Sequence, residues 1–179
     1  IRKVVHRLLR LQQAYYRSRE ERCVKESSGF SIRKGVYYRR GINLDELLRA
    51  VRSPGGKVIR KTRREVTSRL SEGLFLKRST PSRVAAAWKN AHALAVRGIP
   101  TPRMDACGKD WIAGEWVVGL DLYDWIRTHF GSLNRDDRVD FLFRLARVIR
   151  RMHDRGVFHK DLKGGNVLVT AGGFSIVDL

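Results

Sequence analysis

The sequence predicts an α+β fold of two lobes, with an antiparallel sheet in the N-terminal lobe and helices in the C-terminal lobe. Three observations predict it. Short strands separated by Gly- and Pro-containing turns fill residues 57–77. A long helix with an Asn cap and an acidic first turn starts after Asn134. A polar loop and a hydrophobic hairpin then run from His159 to Asp178. The expected organisation is a basic helix over residues 1–28, a sheet-bearing lobe over 29–117 and the start of a helical lobe over 118–179.

The elements follow in order. In residues 1–22, Ile1, Val4, Val5, Leu8, Gln12, Tyr15 and Tyr16 fall on one helical face, with Arg2, Lys3, Arg7, Arg10 and Arg17 around the other. Such a basic amphipathic helix either lies in a membrane interface or packs its stripe onto the protein. Residues 30–39 read as a strand and 44–51 as a helix capped by Asn43. Ser53-Pro54-Gly55-Gly56 turns the chain into strands at 57–61, 66–70 and 74–77, the last two joined through Ser71-Glu72-Gly73. A helix over 83–97 stops at Gly98, and Pro100 and Pro102 prevent its return. Strands at 103–107 and 111–117 and a helix at 121–129 precede the long helix. Its expected buried stripe is Val139, Leu142, Phe143, Ala146, Ile149 and Met152, and Gly156 ends it. Val157-Phe158, 167–169 and 174–177 complete the strands.

Composition bounds the function. The 179 residues are 42% hydrophobic, enough for one domain or two small lobes. No apolar run is long enough to cross a bilayer, no secretory signal is visible, and the chain begins with Ile1, so it is expected to be part of a longer protein. Two cysteines form neither a disulfide framework nor a metal spacing, which fits a reducing compartment. Residues 1–90 carry 24 Lys and Arg against 7 Asp and Glu, and residues 91–179 carry 13 against 11. The excess that makes the net charge +19 therefore sits in the N-terminal half. That field attracts polyanions, and charge alone does not choose among them. No recognised nucleic-acid module interleaves aromatics with these basic residues, so no nucleic acid is expected. His6, His92, His129 and His153 have no metal-ligand spacing.

The segment that carries chemistry is His159-Lys160-Asp161-Leu162-Lys163-Gly164-Gly165-Asn166, followed by Ile176-Val177-Asp178. Phosphoryl transfer needs a base beside the acceptor hydroxyl, oxygen ligands for a divalent metal and a cation near the transferring group. Asp161 is the candidate base, Lys163 the cation, and Asn166 and Asp178 the magnesium ligands. His159 reads as a residue that fixes the loop. A hairpin from Asn166 to Asp178 would bring both ligands to one site. The H-x-D-x-K-x-x-N pattern ahead of such a hairpin matches the kinase catalytic loop. Lys77, at the end of a strand, is then placed to reach the α- and β-phosphates of ATP, and Glu115 and the backbone of Val117 to meet the adenine edge.

Leu74-Phe75-Leu76-Lys77-Arg78, Ala87-Trp88-Lys89-Asn90 with Leu94, and Gly98-Ile99-Pro100-Thr101-Pro102-Arg103 join the catalytic loop in a wider resemblance. With them the sequence resembles the Kdo/WaaP lipopolysaccharide kinases, a branch of the protein-kinase-like superfamily, from about Gly29 onward. The resemblance implies a bilobal protein-kinase-like fold with an incomplete C-terminal lobe. It implies transfer of phosphate from ATP, with magnesium, to a Kdo or heptose hydroxyl of the lipopolysaccharide core or a lipid A precursor. It also implies peripheral attachment to the cytoplasmic face of the bacterial inner membrane. Two departures stand out. Lys61-Thr62-Arg63-Arg64-Glu65 occupies the turn where a glycine-rich loop would cover the phosphates, and the helix bearing Trp88 has Ala87 where a glutamate would pair with Lys77. An atypical protein kinase on the same fold and a catalytically silent binding module are the competing readings.

Overall fold

The computed structural model describes residues 2–53, 56–71 and 73–178. Ile1, Pro54, Gly55, Glu72 and Leu179 lie outside the described residues, and with them the centres of the turns expected at 53–56 and 71–73. The chain divides into two compact units, Ile1–Arg97 with Arg103–Trp116, and Gly98–Pro102 with Val117–Leu179.

The first unit is built on a seven-stranded antiparallel sheet. Its strands are β1 (Phe30–Arg33), β2 (Val36–Arg39), β3 (Lys57–Lys61), β4 (Val66–Ser71), β5 (Leu74–Arg78), β6 (Met104–Cys107) and β7 (Trp111–Glu115), in the order β1-β2-β6-β7-β5-β4-β3. The strand expected over residues 30–39 is a hairpin instead. Lys34 and Gly35 both take positive φ, 53° and 75°, the backbone of a tight turn whose twist matches the strands it joins.

Three helices flank this sheet: α1 (Arg2–Glu20), α2 (Leu44–Arg52) and α3 (Pro81–Val96). Strand alternation sorts the core into two sides. Leu76, Ala106, Trp111 and Ala113 pack with Leu44, Leu47 and Val51 of α2. Cys107 and Ile112 pack with Val84 and Trp88 of α3 and with Cys23. Asn43 caps α2 by accepting from the Glu46 amide (3.2 Å), as its sequence predicts. Trp88 is 1% exposed, and its indole Nε1 donates to the Cys23 carbonyl (2.8 Å). That satisfies the one polar atom the ring carries into the core. Burial pushes the Cys23 and Cys107 thiols up to about 11 and about 12, so both behave as small hydrophobes.

Helix α1 divides along its length. Tyr16 is buried beneath the Arg97 guanidinium, 4.5 Å from the ring centre, and Arg97 pairs with Glu20. Val4, Val5, Leu8, Leu9, Leu11 and Tyr15 are exposed. Among the described residues of the predicted stripe, Tyr16 is the one that reaches the core.

The second unit contains β8 (Leu120–Asp121), α4 (Leu122–His129), α5 (Arg135–Asp154), β9 (Val167–Thr170) and β10 (Gly173–Ile176), with its strands in the order β10-β9-β8. Asn134 caps α5 by accepting from the Asp137 amide (2.8 Å). Phe141 of α5 stacks on Trp125 of α4, with ring centres 4.1 Å apart, and meets Phe174 of β10 edge-on at 5.2 Å. The buried face of α5 therefore runs through Phe141 and Met152. Val139, Leu142 and Phe143 of the predicted stripe are exposed, as is Ala146. The helix is apolar on two faces, and spacing alone cannot say which one the hairpin covers. Val157 and Phe158 form no strand. Instead Phe158 stacks on His153 at 5.3 Å.

Candidate active site

In the second unit, α5 delivers the chain to the loop that starts at His159. The Asp161 amide donates to His159 Nδ1 (3.2 Å), so the ring acts as an acceptor that braces the backbone of its neighbour. Asp161 itself is exposed. Lys163 Nζ donates to Asp161 Oδ2 (2.6 Å), and Asn166 Nδ2 donates to both the Asp161 carbonyl (2.9 Å) and Oδ2 (3.2 Å). The Lys163 ammonium holds the Asp161 carboxyl below the usual carboxylate range, and the Asn166 amide adds to the effect. Asp161 is therefore ionised at neutral pH, as a base awaiting a proton must be.

Residues 164–166 form a single 3₁₀ turn, closed by the Asn166 amide on the Lys163 carbonyl (2.9 Å). Gly164 lets the turn lie close against Tyr123. A Cβ at this position would lie 2.8 Å from the Tyr123 ring, inside any normal carbon contact. The turn swings Asn166 inward until it is 1% exposed.

The β9–β10 hairpin then brings the two candidate ligands, Asn166 and Asp178, to one end. Ile176 faces Val167, and the Val177 amide extends the ladder by donating to the Asn166 carbonyl (3.0 Å). Asn166 and Asp178 thus stand at the same open end of one hairpin. Asp178 has φ 61°, a left-handed conformation that costs a non-glycine residue about 1 kcal/mol and that Asp tolerates better than most. Such local strain concentrates at functional sites.

Residues 98–102 hold the other edge of this hairpin. The Ile176 amide donates to the Pro100 carbonyl (2.8 Å), and the Thr101 hydroxyl donates to the Ile176 carbonyl (3.0 Å). Ile99 is buried. The Gly-Ile-Pro-Thr-Pro segment is therefore a third strand-like rail that braces β10 two residues before Asp178.

The donor set suits a hard divalent cation. Asn166 spends its Nδ2 on Asp161, which leaves Oδ1 as the amide atom suited to a metal, with Asp178 at the same end of the hairpin. Oxygen ligands of this kind are what magnesium accepts.

In the first unit, Lys77 lies next to the end of β5, largely buried. Its Nζ is 3.3 Å from Glu65 Oε2. Glu115 ends β7, where its Oε2 accepts from the Arg103 amide (3.2 Å) and its own amide donates to the Arg103 carbonyl (2.8 Å). Val117 lies two residues past the end of β7 and belongs to the second unit.

A model of the lipopolysaccharide kinase (Kdo/WaaP) family matches residues 55–179. This chain belongs to that family. Its members are kinases, and the match takes in the strands around Lys77, the Gly-Ile-Pro-Thr-Pro rail and the whole Asp161–Asp178 constellation. Curated protein kinases share shorter stretches with this Kdo/WaaP member. CBL-interacting protein kinase 3 of Oryza sativa subsp. japonica is 38% identical over 69 residues, which is 38% of this chain and 15% of that protein. Mitogen-activated protein kinase 7 of Arabidopsis thaliana is 30% identical over 83 residues, 46% of this chain and 22% of that protein. Serine/threonine-protein kinase Nek1 of Mus musculus is 28% identical over 67 residues, 37% of this chain and 6% of that protein. The chain thus spans less than a quarter of the length of these relatives.

Proposed function

We propose that this Kdo/WaaP family member transfers the γ-phosphate of ATP to a sugar hydroxyl, on Kdo or heptose, of the lipopolysaccharide inner core. The observation that carries the reading is the Asp161–Asn166–Asp178 hairpin geometry, found inside the family match. Asp161 accepts the proton of the attacking hydroxyl as its oxygen bonds to the γ-phosphorus and ADP departs. Lys163, held on Asp161, supplies positive charge where negative charge grows on the transferring group. Lys77 contacts the α- and β-phosphates, and Glu115 with the Val117 backbone meets the adenine. Asn166 and Asp178 would hold magnesium, which when bound would neutralise the polyphosphate.

The acceptor is anionic and lipid-linked, which suits a chain whose net charge is +19. The exposed apolar side chains Val4, Val5, Leu8 and Leu11 of α1 favour seating on an anionic membrane surface, the cytoplasmic face of the inner membrane. No described helix is long and apolar enough to cross a membrane.

The test is phosphate transfer from radiolabelled ATP to three kinds of acceptor: lipid A precursors bearing Kdo or heptose, the precursor without either, and a generic protein substrate. Label entering only the lipid that bears Kdo or heptose, and lost in Asp161→Asn, is the expected result. Label entering only protein makes the chain an atypical protein kinase. A wild-type chain that labels nothing overturns the enzyme reading.

A further inference from the structure

Lys77 has lost the helix glutamate that partners the corresponding lysine in protein kinases, yet it is not left without a carboxylate. From its place at the head of β4, Glu65 reaches Lys77 Nζ at 3.3 Å, and both side chains are largely buried, 12% and 18% exposed. The sheet register explains the meeting. Thr67 faces Lys77 across β4 and β5, so Glu65, two residues earlier, lies on the same face as its diagonal neighbour. Helix α3 contributes charge of the opposite sign: Arg83, in its first turn, lies 4.0 Å from the same Glu65 oxygen.

The turn that bears Glu65 is itself fixed. The Thr62 amide donates to the Glu65 carbonyl (2.8 Å). The Thr62 hydroxyl accepts from the amides of Arg64 (3.3 Å) and Glu65 (3.1 Å). Ser79, just past β5, donates its hydroxyl to the Arg64 carbonyl (3.1 Å). Two amides that a glycine-rich loop would aim at phosphate are thus engaged inside the turn.

We infer that Glu65 is the positioning residue for Lys77. The carboxylate comes from the β3–β4 turn and not from the helix, so the turn orients the lysine, and Arg83 ties the start of α3 to the same point. The inference rests on the kinase reading of Lys77. Glu65 touches neither substrate nor metal in it; it acts through the lysine.

The test compares Glu65→Gln, Glu65→Asp, Lys77→Met and Asp161→Asn in the full chain. Steady-state ATP turnover, binding of a fluorescent ATP analogue with Mg2+ and thermal melting are the readouts. Misplacing a phosphate-contacting group costs roughly 10- to 100-fold in rate. Glu65→Gln should lose about that much in kcat, with a much smaller change in KM for ATP and an unaltered melt, and Glu65→Asp should recover part of it. Wild-type turnover in Glu65→Gln, alongside inactive Lys77→Met and Asp161→Asn, overturns the role of Glu65 and leaves the kinase reading intact. So does a loss in Glu65→Gln that follows the melting temperature alone. If Lys77→Met and Asp161→Asn also turn over normally, or if the wild-type chain neither binds nor consumes Mg-ATP, the kinase reading itself fails.

Discussion

Asn166 donates its side-chain amide to Asp161, 2.9 Å to the carbonyl and 3.2 Å to Oδ2. One buried amide thereby anchors the candidate base and, through its remaining oxygen, offers a metal ligand. The two proposed roles are coupled through a single planar group.

That coupling predicts how Asn166→Asp behaves. The substituted carboxylate keeps an oxygen ligand but cannot donate to Asp161, and it sets two negative groups against each other. An unsatisfied or repelling buried group costs about 1–3 kcal/mol, so turnover should fall by roughly 10- to 100-fold even with magnesium in excess. Asp161→Asn, which removes the proposed base, should cost roughly 10²- to 10⁴-fold. Steady-state ATP consumption measures both. Full activity in Asn166→Asp would show that the donated bond is dispensable.

Lys163 predicts a titration. Its ammonium, 2.6 Å from Asp161, is the largest influence that lowers the Asp161 carboxyl. In Lys163→Gln the carboxyl should therefore titrate at higher pH than in the wild type, nearer the usual carboxylate value. Carboxyl-carbon NMR of labelled Asp161 reads this directly. A titration curve that does not move would mean that the lysine points elsewhere in solution.

His92 predicts acid sensitivity of the fold. Burial, reinforced by Arg39, lowers its pKa to about 4 from the ordinary 6.5, and Phe30 and Trp88 enclose the ring at 4.6 and 4.4 Å. The folded state therefore resists protonation that the unfolded chain accepts. Above pH 6.5 both states are neutral and nothing changes. As pH falls from 6.5 towards 4 the unfolded state binds the extra proton, and stability falls by about 3 kcal/mol at most. Urea unfolding of wild type and His92→Leu between pH 4 and 7 checks this. The variant should lose less stability over that window, and equal slopes would assign the acid sensitivity to other groups.

Much of the site was legible because its geometry is local. The step from Asp161 to Asn166 is a short loop that ends in one 3₁₀ turn, and Asn166 and Asp178 are joined by one hairpin, so sequence separation stood in for spatial separation. The helix caps at Asn43 and Asn134 were legible for the same reason. Glu65 was not, because its partner lies twelve residues away on the neighbouring strand. The signal that could have found it is the hairpin register, which sets Glu65 on the face of Lys77. The α5 stripe was right at Met152 and wrong at Val139, Leu142, Phe143 and Ala146, because Phe141 and Val139 belong to different apolar faces of the same helix. The Lys34-Gly35 turn was passed over inside what reads as one continuous strand.

By itself the sequence determined the α+β class, the order of most elements, the local geometry of the 159–178 segment and the basic bias of the N-terminal half. These depend on backbone periodicity, capping and short-range turns, which a few neighbouring residues dictate. Only the tertiary structure decided that Glu65 sits against Lys77, that residues 98–102 brace β10 ahead of Asp178, and which face of α5 is covered. Each of those joins segments far apart in the chain. Such contacts form where burial of apolar surface and the pairing of strand edges bring the segments together, and no local preference encodes them.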